Sequence, residues 1–125
     1  MEKKYTIKQV SEATGLSTSN IRYYEQEGLI AGIGRNSANV RLFSQTDVEW
    51  IRFLARLKDM EMPVKLMKRY AILRAQGNGT VHERMELLDT HKKHMLEKIG
   101  RIRENIALLD HKILLYKEMG KNNNG

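Results

Sequence analysis

A long, uninterrupted heptad pattern in the C-terminal half constrains the fold of this chain more than any other feature. From Val81 to Tyr116, positions follow one another at alternating spacings of four and three residues, and every one except Lys92 is apolar. About five heptads without a phase error are typical of a coiled coil. The seam positions are Val81, Met85, Leu88, Lys92, Met95, Ile99, Ile102, Ile106, Leu109, Ile113 and Tyr116.

A single coiled-coil helix has no means of burying its seam alone, and the sequence contains no second long helix. We therefore expect a homodimer, although a helix folded back on its own domain remains an alternative. The sequence "TVHE" from Thr80 has the pattern of a capping box and predicts the start of this helix. Residues 119–125 are predicted to be a disordered tail. The predicted dimer contacts are Met85, Leu88, Met95, Ile99, Ile102, Ile106, Leu109, Ile113 and Tyr116.

The N-terminal half has the pattern of a helix-turn-helix. A capping box at Thr6 opens a first helix, and Gly15 breaks it. Ser17 is the predicted N-cap of a second helix over Thr18–Gln26. Helix, short glycine turn and helix are typical of DNA-binding motifs, although many helical hairpins share this pattern.

A turn-rich stretch, "AGIGRNSANVRLFS", follows the second helix. Short apolar pieces flank its polar centre, which predicts a small β-hairpin, a wing that carries Arg35 and Arg41. Two further helices follow, and "QGNG" ends the second of them. The predicted fold is mainly α: a winged helix-turn-helix head over residues 1–77, then a long dimerising coiled-coil helix over residues 80–118.

The charge distribution indicates a polyanionic partner for the head. The chain has 22 Lys and Arg against 15 Asp and Glu, and residues 1–75 hold 13 basic and 8 acidic side chains, a net charge of +5. This excess favours nucleic acid first and a membrane surface second, while a merely basic domain without such a partner remains the alternative. No apolar run is long enough for a membrane span, so we expect a cytoplasmic protein without a membrane partner.

The cysteine count excludes several kinds of chemistry. With no cysteine, the chain has no disulfide, no zinc-thiolate site and no thiol redox centre. We expect no metal and no cofactor. We also expect no enzyme, because the sequence has no nucleophile–base pair, phosphate loop or carboxylate dyad in a plausible pocket.

The second predicted helix has the side chains needed to read DNA. Arg22 can donate two hydrogen bonds to a guanine edge or clamp a phosphate. The hydroxyl groups of Tyr23 and Tyr24 can reach phosphates, and Thr18 lies at a helix N-terminus, which attracts phosphate. Two structural alternatives stay open. One of the tyrosines is a core aromatic, and the arginine of the second wing strand, Arg41, pairs with a glutamate of the helix, Glu25.

Two stretches carry a resemblance to a known family. "YTIKQVSEATGLSTSNIRYYEQEGLI" and "RNSANVRLFSQTDVEWI" resemble the MerR family of bacterial transcription regulators. The resemblance implies a homodimer with an antiparallel coiled coil that binds a near-palindromic promoter element and distorts the spacer DNA, so that RNA polymerase engages both promoter boxes. Carried over by position, the DNA-contacting residues are Thr18, Arg22, Tyr23, Tyr24, Arg35, Asn36, Arg41 and Phe43.

The second half looks most like the small aldehyde- and thiol-stress branch of that family. In that branch a cysteine often stands where this chain has Arg56, so the chain is a cysteine-free relative in which sensing through a thiolate is excluded. A non-covalent small-molecule effector at a methionine-lined junction and action without any ligand both remain open. The alternative to a regulator is a ligand-independent architectural protein that bends DNA.

Overall fold

The computed structural model describes residues 3–124, with side chains to Asn122, and its contacts divide the chain into a first compact unit that ends at Met85 and a second that begins at Glu86. The elements confirm the predicted mainly helical fold with a small wing and a long C-terminal helix. They are α1 (Ile7–Thr14), α2 (Thr18–Gln26), β1 (Gly34–Arg35), β2 (Arg41–Leu42), α3 (Gln45–Asp59), α4 (Val64–Ala75), a 3-10 turn (Asn78–Thr80) and α5 (Val81–Asn124).

Local capping sets the helix-turn-helix. The Thr6 hydroxyl accepts a hydrogen bond from the Gln9 backbone N–H, and the Gln9 side chain accepts from the Thr6 N–H, so the predicted capping box is confirmed. Gly15 ends α1 at a φ of 80°, which a glycine adopts without steric cost. The Ser17 hydroxyl then caps α2. The short turn between two capped ends gives α1 and α2 their compact arrangement.

The core of the first unit lies where α1 packs on α2 and α3. Helix α3 is amphipathic and contributes more buried residues than any other helix of this unit. The indole N–H of Trp50 donates to the Leu29 carbonyl at 2.8 Å, which ties the loop after α2 to α3. The largest fully buried side chains are Phe43, Ile21, Leu29, Ile51, Leu54, Leu57, Met67 and Val10.

The wing is a two-stranded antiparallel hairpin. Arg35 faces Arg41 across the two strands. Asn36 closes the tip, because its side-chain oxygen accepts from the backbone N–H groups of Ala38 and Val40 at 2.9 and 3.0 Å. The hairpin is therefore organised by hydrogen bonds within its own residues.

Helix α5 begins at Val81, directly after Thr80, where the sequence predicted its start. Thr80 lies in the 3-10 turn, and its buried hydroxyl is within hydrogen-bonding distance of the Leu73 and Gly77 carbonyls, at 2.5 and 2.8 Å. The capping box at "TVHE" stays a prediction, because the contacts found for the Thr80 hydroxyl are with these carbonyls and with the Arg84 side chain. Each of these carbonyls also accepts a backbone hydrogen bond, Leu73 from the Gln76 N–H and Gly77 from the Thr80 N–H, so the hydroxyl adds to the bonds that follow the end of α4.

Helix α5 is longer than expected. It continues to Asn124, so residues 119–124 are helical where a disordered tail was predicted, and Gly125 lies outside the described residues. No proline interrupts this stretch, and Lys121 in the last turn interacts favourably with the negative end of the helix dipole. Among residues 3–124, no helix combines the length and the apolar character needed to cross a membrane.

Candidate nucleic-acid interface

Helix α2 separates a buried side from an exposed side. Ile21 and Tyr24 lie in the core, whereas Arg22 is exposed and Tyr23 is 43% exposed. Thr18 is half-buried in the first turn of the helix. The exposed side of α2 therefore presents a guanidinium and a phenol, two groups that hydrogen-bond to DNA bases and phosphates.

Tyr24 is the core aromatic that the sequence left open between the two tyrosines. Its side chain is 4% exposed, and burial raises the pKa of its hydroxyl, with Tyr23 as the smaller cause. The ring of Tyr24 serves the core, so little of this side chain is left at the surface, and its DNA contact stays a prediction. The tilted ring of Tyr23, 5.9 Å away between centroids, remains at the surface.

Phe43 is also a core residue. Its side chain is 1% exposed, and its backbone exchanges two hydrogen bonds with Tyr5, each of 2.8 Å. The side chain thus fills the core while the backbone joins the end of the wing to the start of the chain, and the DNA contact of Phe43 stays a prediction. Phe43 follows Leu42 in extended backbone, in which successive side chains lie on opposite faces.

The wing carries two arginines in cross-strand register, and they have different partners. The Nε of Arg41 lies 2.6 Å from a carboxylate oxygen of Glu25, which realises the ion pair that the sequence left open as an alternative. Arg35 donates to the Asn39 carbonyl at 3.1 Å, and both Arg35 and Asn36 are exposed. Like charges opposite each other on a hairpin repel, so this arrangement favours a polyanion beside the wing.

The C-terminal end of α2 makes a second ion pair, which was not predicted from the sequence. The Lys68 amine of α4 lies 2.5 Å from a carboxylate oxygen of Glu27, and this hydrogen bond is the main cause that raises the pKa of Lys68. Residues 41 positions apart in sequence give no local signal of such contact. Glu25 and Glu27 thus connect the end of α2 to the wing and to α4 respectively.

Loss of the Arg41–Glu25 ion pair is expected to reduce the discrimination between specific and random DNA. In Glu25→Gln the wing loses its charged tether to α2, and affinity for a specific site should fall by about 3- to 10-fold, which corresponds to roughly 1 kcal/mol. Affinity for random DNA should stay the same or rise, because the substitution removes a negative charge. Fluorescence anisotropy with both kinds of duplex measures the ratio.

Glu27→Gln is the matched control for that experiment. It makes the same chemical change on the same helix but breaks the pair with Lys68 and leaves the wing tethered. The discrimination of Glu27→Gln should fall less than that of Glu25→Gln. Equal losses in the two variants would contradict a specific role for the wing tether.

Comparison with known proteins identifies the family of this head. A family model described as MerR HTH family regulatory protein matches residues 5–71. An HTH-type transcriptional regulator of Haemophilus influenzae is 31% identical over 91% of this chain and 84% of its own length. The HTH-type transcriptional regulator AdhR of Bacillus subtilis is 32% identical over 73% of this chain and 65% of its own length.

Solved structures give the same result. HiNmlR, a MerR family regulator that lacks the sensor domain and was crystallised with promoter DNA, superposes with a TM-score of 0.76 and 30% identity over 93% of this chain and 92% of its own. A MerR family regulator structure from Listeria monocytogenes gives a TM-score of 0.77 and 35% identity, covering 87% of this chain and 83% of its own. These relatives are regulators and not enzymes. The chain is therefore a member of the MerR family of DNA-binding helix-turn-helix transcription regulators.

Proposed function

We propose that this protein binds a near-palindromic promoter element as a homodimer and distorts the spacer DNA to control transcription. The observation that carries the proposal is the exposed side of α2, with Arg22 and Tyr23, beside a wing that holds Arg35 and Arg41 in register. A helix in the major groove and an arginine-bearing wing on the backbone are the two parts that a winged helix-turn-helix needs.

The remaining predicted contacts support this geometry. Thr18 lies in the first turn of α2, where the backbone N–H groups of a helix N-terminus favour phosphate. Asn36 is exposed at the tip of the wing. The proposed interface comprises Thr18, Arg22, Tyr23, Arg35, Asn36 and Arg41, and the net charge of +5 over residues 1–75 supplies long-range attraction.

The proposed dimer rests on the apolar seam of α5. Ile99, Ile102, Ile106 and Leu109 are between 43 and 63% exposed, which is costly for so many large aliphatic side chains on one helix. A second copy of the chain would cover them, and the family resemblance implies an antiparallel pairing. A two-fold dimer then presents two α2 helices, which matches a palindromic site.

Control of transcription is the finer part of the proposal. An overlong spacer between two promoter boxes keeps RNA polymerase from engaging both, and a dimer that bends and untwists the spacer corrects this. HiNmlR, the related regulator, was crystallised with promoter DNA, and this supports a regulator over the alternative of a purely architectural bending protein. Such a function would place the protein in the cytoplasm, where it shares the promoter with RNA polymerase.

Selection of bound duplexes from a random DNA pool tests the proposal most directly. A narrow set of near-palindromic sequences is expected, and the logarithm of affinity for the selected site should fall linearly with the logarithm of salt concentration. The selected site should then be placed between promoter boxes for transcription in vitro. Similar affinity for all sequences would favour the architectural alternative, and salt-independent or absent binding would contradict DNA binding by this head.

A further inference from the structure

The first unit contains a cleft that the DNA interface does not use. We call it the aromatic cleft; it has a volume of about 270 Å³. It lies between α3, α4 and the first turns of α5. No methionine lines it, so it differs from the methionine-lined junction that the sequence suggested for an effector. Its lining residues are Thr46, Glu49, Trp50, Phe53, Tyr70, Arg74 and Arg84.

Three aromatic rings form one wall of the aromatic cleft. Trp50 and Tyr70 are nearly parallel, with an interplanar angle of 11° and centroids 5.9 Å apart, and Phe53 lies 5.4 Å from Tyr70. The indole is held in place by its hydrogen bond to the Leu29 carbonyl. Phe53 and Tyr70 are only half-buried, so parts of their rings remain accessible to a ligand. The wall is preformed and suits a flat apolar group.

Two arginines are held at the same cleft. The Arg74 guanidinium lies 4.2 Å from the centroid of the Trp50 ring. Arg84 donates to the Thr80 hydroxyl at 3.1 Å and to the Gly77 carbonyl at 3.3 Å, which leaves further N–H donors of its guanidinium for a ligand. Preorganised guanidinium groups bind planar carboxylates well because two parallel hydrogen bonds form at little entropic cost.

The charge and size of the aromatic cleft select the class of ligand. Arg74 and Arg84 oppose a single acidic lining residue, Glu49, so the lining carries a net positive charge that disfavours organic cations. The volume is below the range of roughly 300–1,000 Å³ that drug-sized ligands occupy. A single ring with a short acidic group matches it.

We propose that the aromatic cleft binds a small aromatic carboxylate, with its ring against Phe53 and Tyr70 and its carboxylate on Arg74 and Arg84. This binding does not depend on the proposed DNA function. An effect of the ligand on DNA binding does rest on the proposed function. Helices α3 and α4, which form the cleft, also hold the end of α2 through the Trp50–Leu29 and Lys68–Glu27 hydrogen bonds. A ligand that shifts α3 against α4 therefore changes the support of the DNA-reading helix.

The single tryptophan of the chain makes a direct binding experiment available. Because Trp50 is in the cleft wall, its emission, excited at the red edge of its absorption, reports on ligands that bind beside this side chain, and the Arg84→Gln variant assigns the signal to the aromatic cleft. Titration of the full chain with benzoate should give a saturable change. Benzamide, which is neutral, and benzylamine, which is cationic, share the ring and should bind at least tenfold more weakly. Equal binding of the three compounds, or no saturation by benzoate at tens of millimolar, would overturn the proposal.

Substitutions of the arginines supply the second test, measured by calorimetry so that changes in tryptophan emission do not interfere. Arg84→Gln and Arg74→Gln should each weaken benzoate binding at least tenfold, with helical content unchanged by circular dichroism. Arg69→Gln is the matched control, because Arg69 is an exposed arginine of α4 that does not line the cleft. If Arg84→Gln folds normally and binds benzoate as the unmutated chain does, the assignment is wrong.

The regulatory consequence has its own readout. Benzoate should change affinity for the selected DNA site in the unmutated chain and leave that of Arg84→Gln unchanged. Failure of all DNA binding would remove the proposed function while the fluorescence titration still tested the cleft. Saturable binding without any change in DNA affinity would establish the ligand site and exclude its role in regulation.

Discussion

Ile102→Asp is expected to convert a stable dimer into monomers that no longer hold a palindromic site. Ile102 lies near the middle of the α5 seam, and the substitution would place a carboxylate among aliphatic side chains in each copy. Burial of an unpaired charge costs about 3 kcal/mol or more, so the dimer dissociation constant should rise by more than roughly a hundredfold. Light scattering and sedimentation at micromolar concentration measure the mass, and anisotropy measures the loss of DNA binding.

Gly100→Asp is the matched control for the seam. It adds the same charge two residues away, at a heptad position off the seam, and a Cβ at Gly100 would meet no atom within 4 Å. Because aspartate is a better helix former than glycine, the control should remain dimeric and helical. A monomeric mass for the unmutated chain, or dissociation of the control to the same extent, would contradict the proposed seam.

Arg22→Ala should abolish sequence-specific DNA binding while the protein remains folded. Arg22 is exposed on α2, next to the buried Ile21, so its loss leaves the core intact. Removal of a bidentate contact with a guanine costs about 1–3 kcal/mol, or roughly 5- to 150-fold in affinity for each half-site. Anisotropy with specific and random duplexes measures the loss, and circular dichroism checks the fold.

Two further variants separate base reading from charge. Arg22→Lys keeps a positive charge but cannot make the paired hydrogen bonds, so it should bind the specific site almost as poorly as Arg22→Ala if the arginine reads a base. Arg101→Ala removes one charge from an exposed position of α5, outside the head, and should leave discrimination unchanged. Full specific affinity in Arg22→Ala, with a normal helical spectrum, would exclude α2 as the reading helix.

Those features of the head that depend on near neighbours in sequence were predictable. Thr6, Gly15 and Ser17 act on backbone groups within a few residues, so the two helix boundaries follow from capping chemistry alone. The start of α5 at Val81, directly after Thr80, follows from the same kind of local signal. The partners of the Thr80 hydroxyl, by contrast, depend on where α4 ends.

The residues predicted to contact DNA divide into an exposed group and a buried group. Arg22 and Tyr23 are at the surface as expected, but Tyr24 and Phe43 are in the core. Tyr23 and Tyr24 are chemically identical neighbours, and a turn of about 100° per residue along α2 is enough to send one outward and the other inward. The sequence indicates that one of the two tyrosines is buried. The packing of α2 against α1 decides which one it is.

The sequence by itself determined the helix-turn-helix, the wing and the heptad register of α5, because capping, turn formation and helical periodicity are local properties of the chain. The tertiary structure alone decided the partners of Arg41 and Lys68, the burial of Phe43 and the aromatic cleft. Trp50, Tyr70 and Arg84 come from three different helices. Contacts between such distant residues depend on how the helices pack, and packing is set by the shape of the whole core rather than by any local pattern.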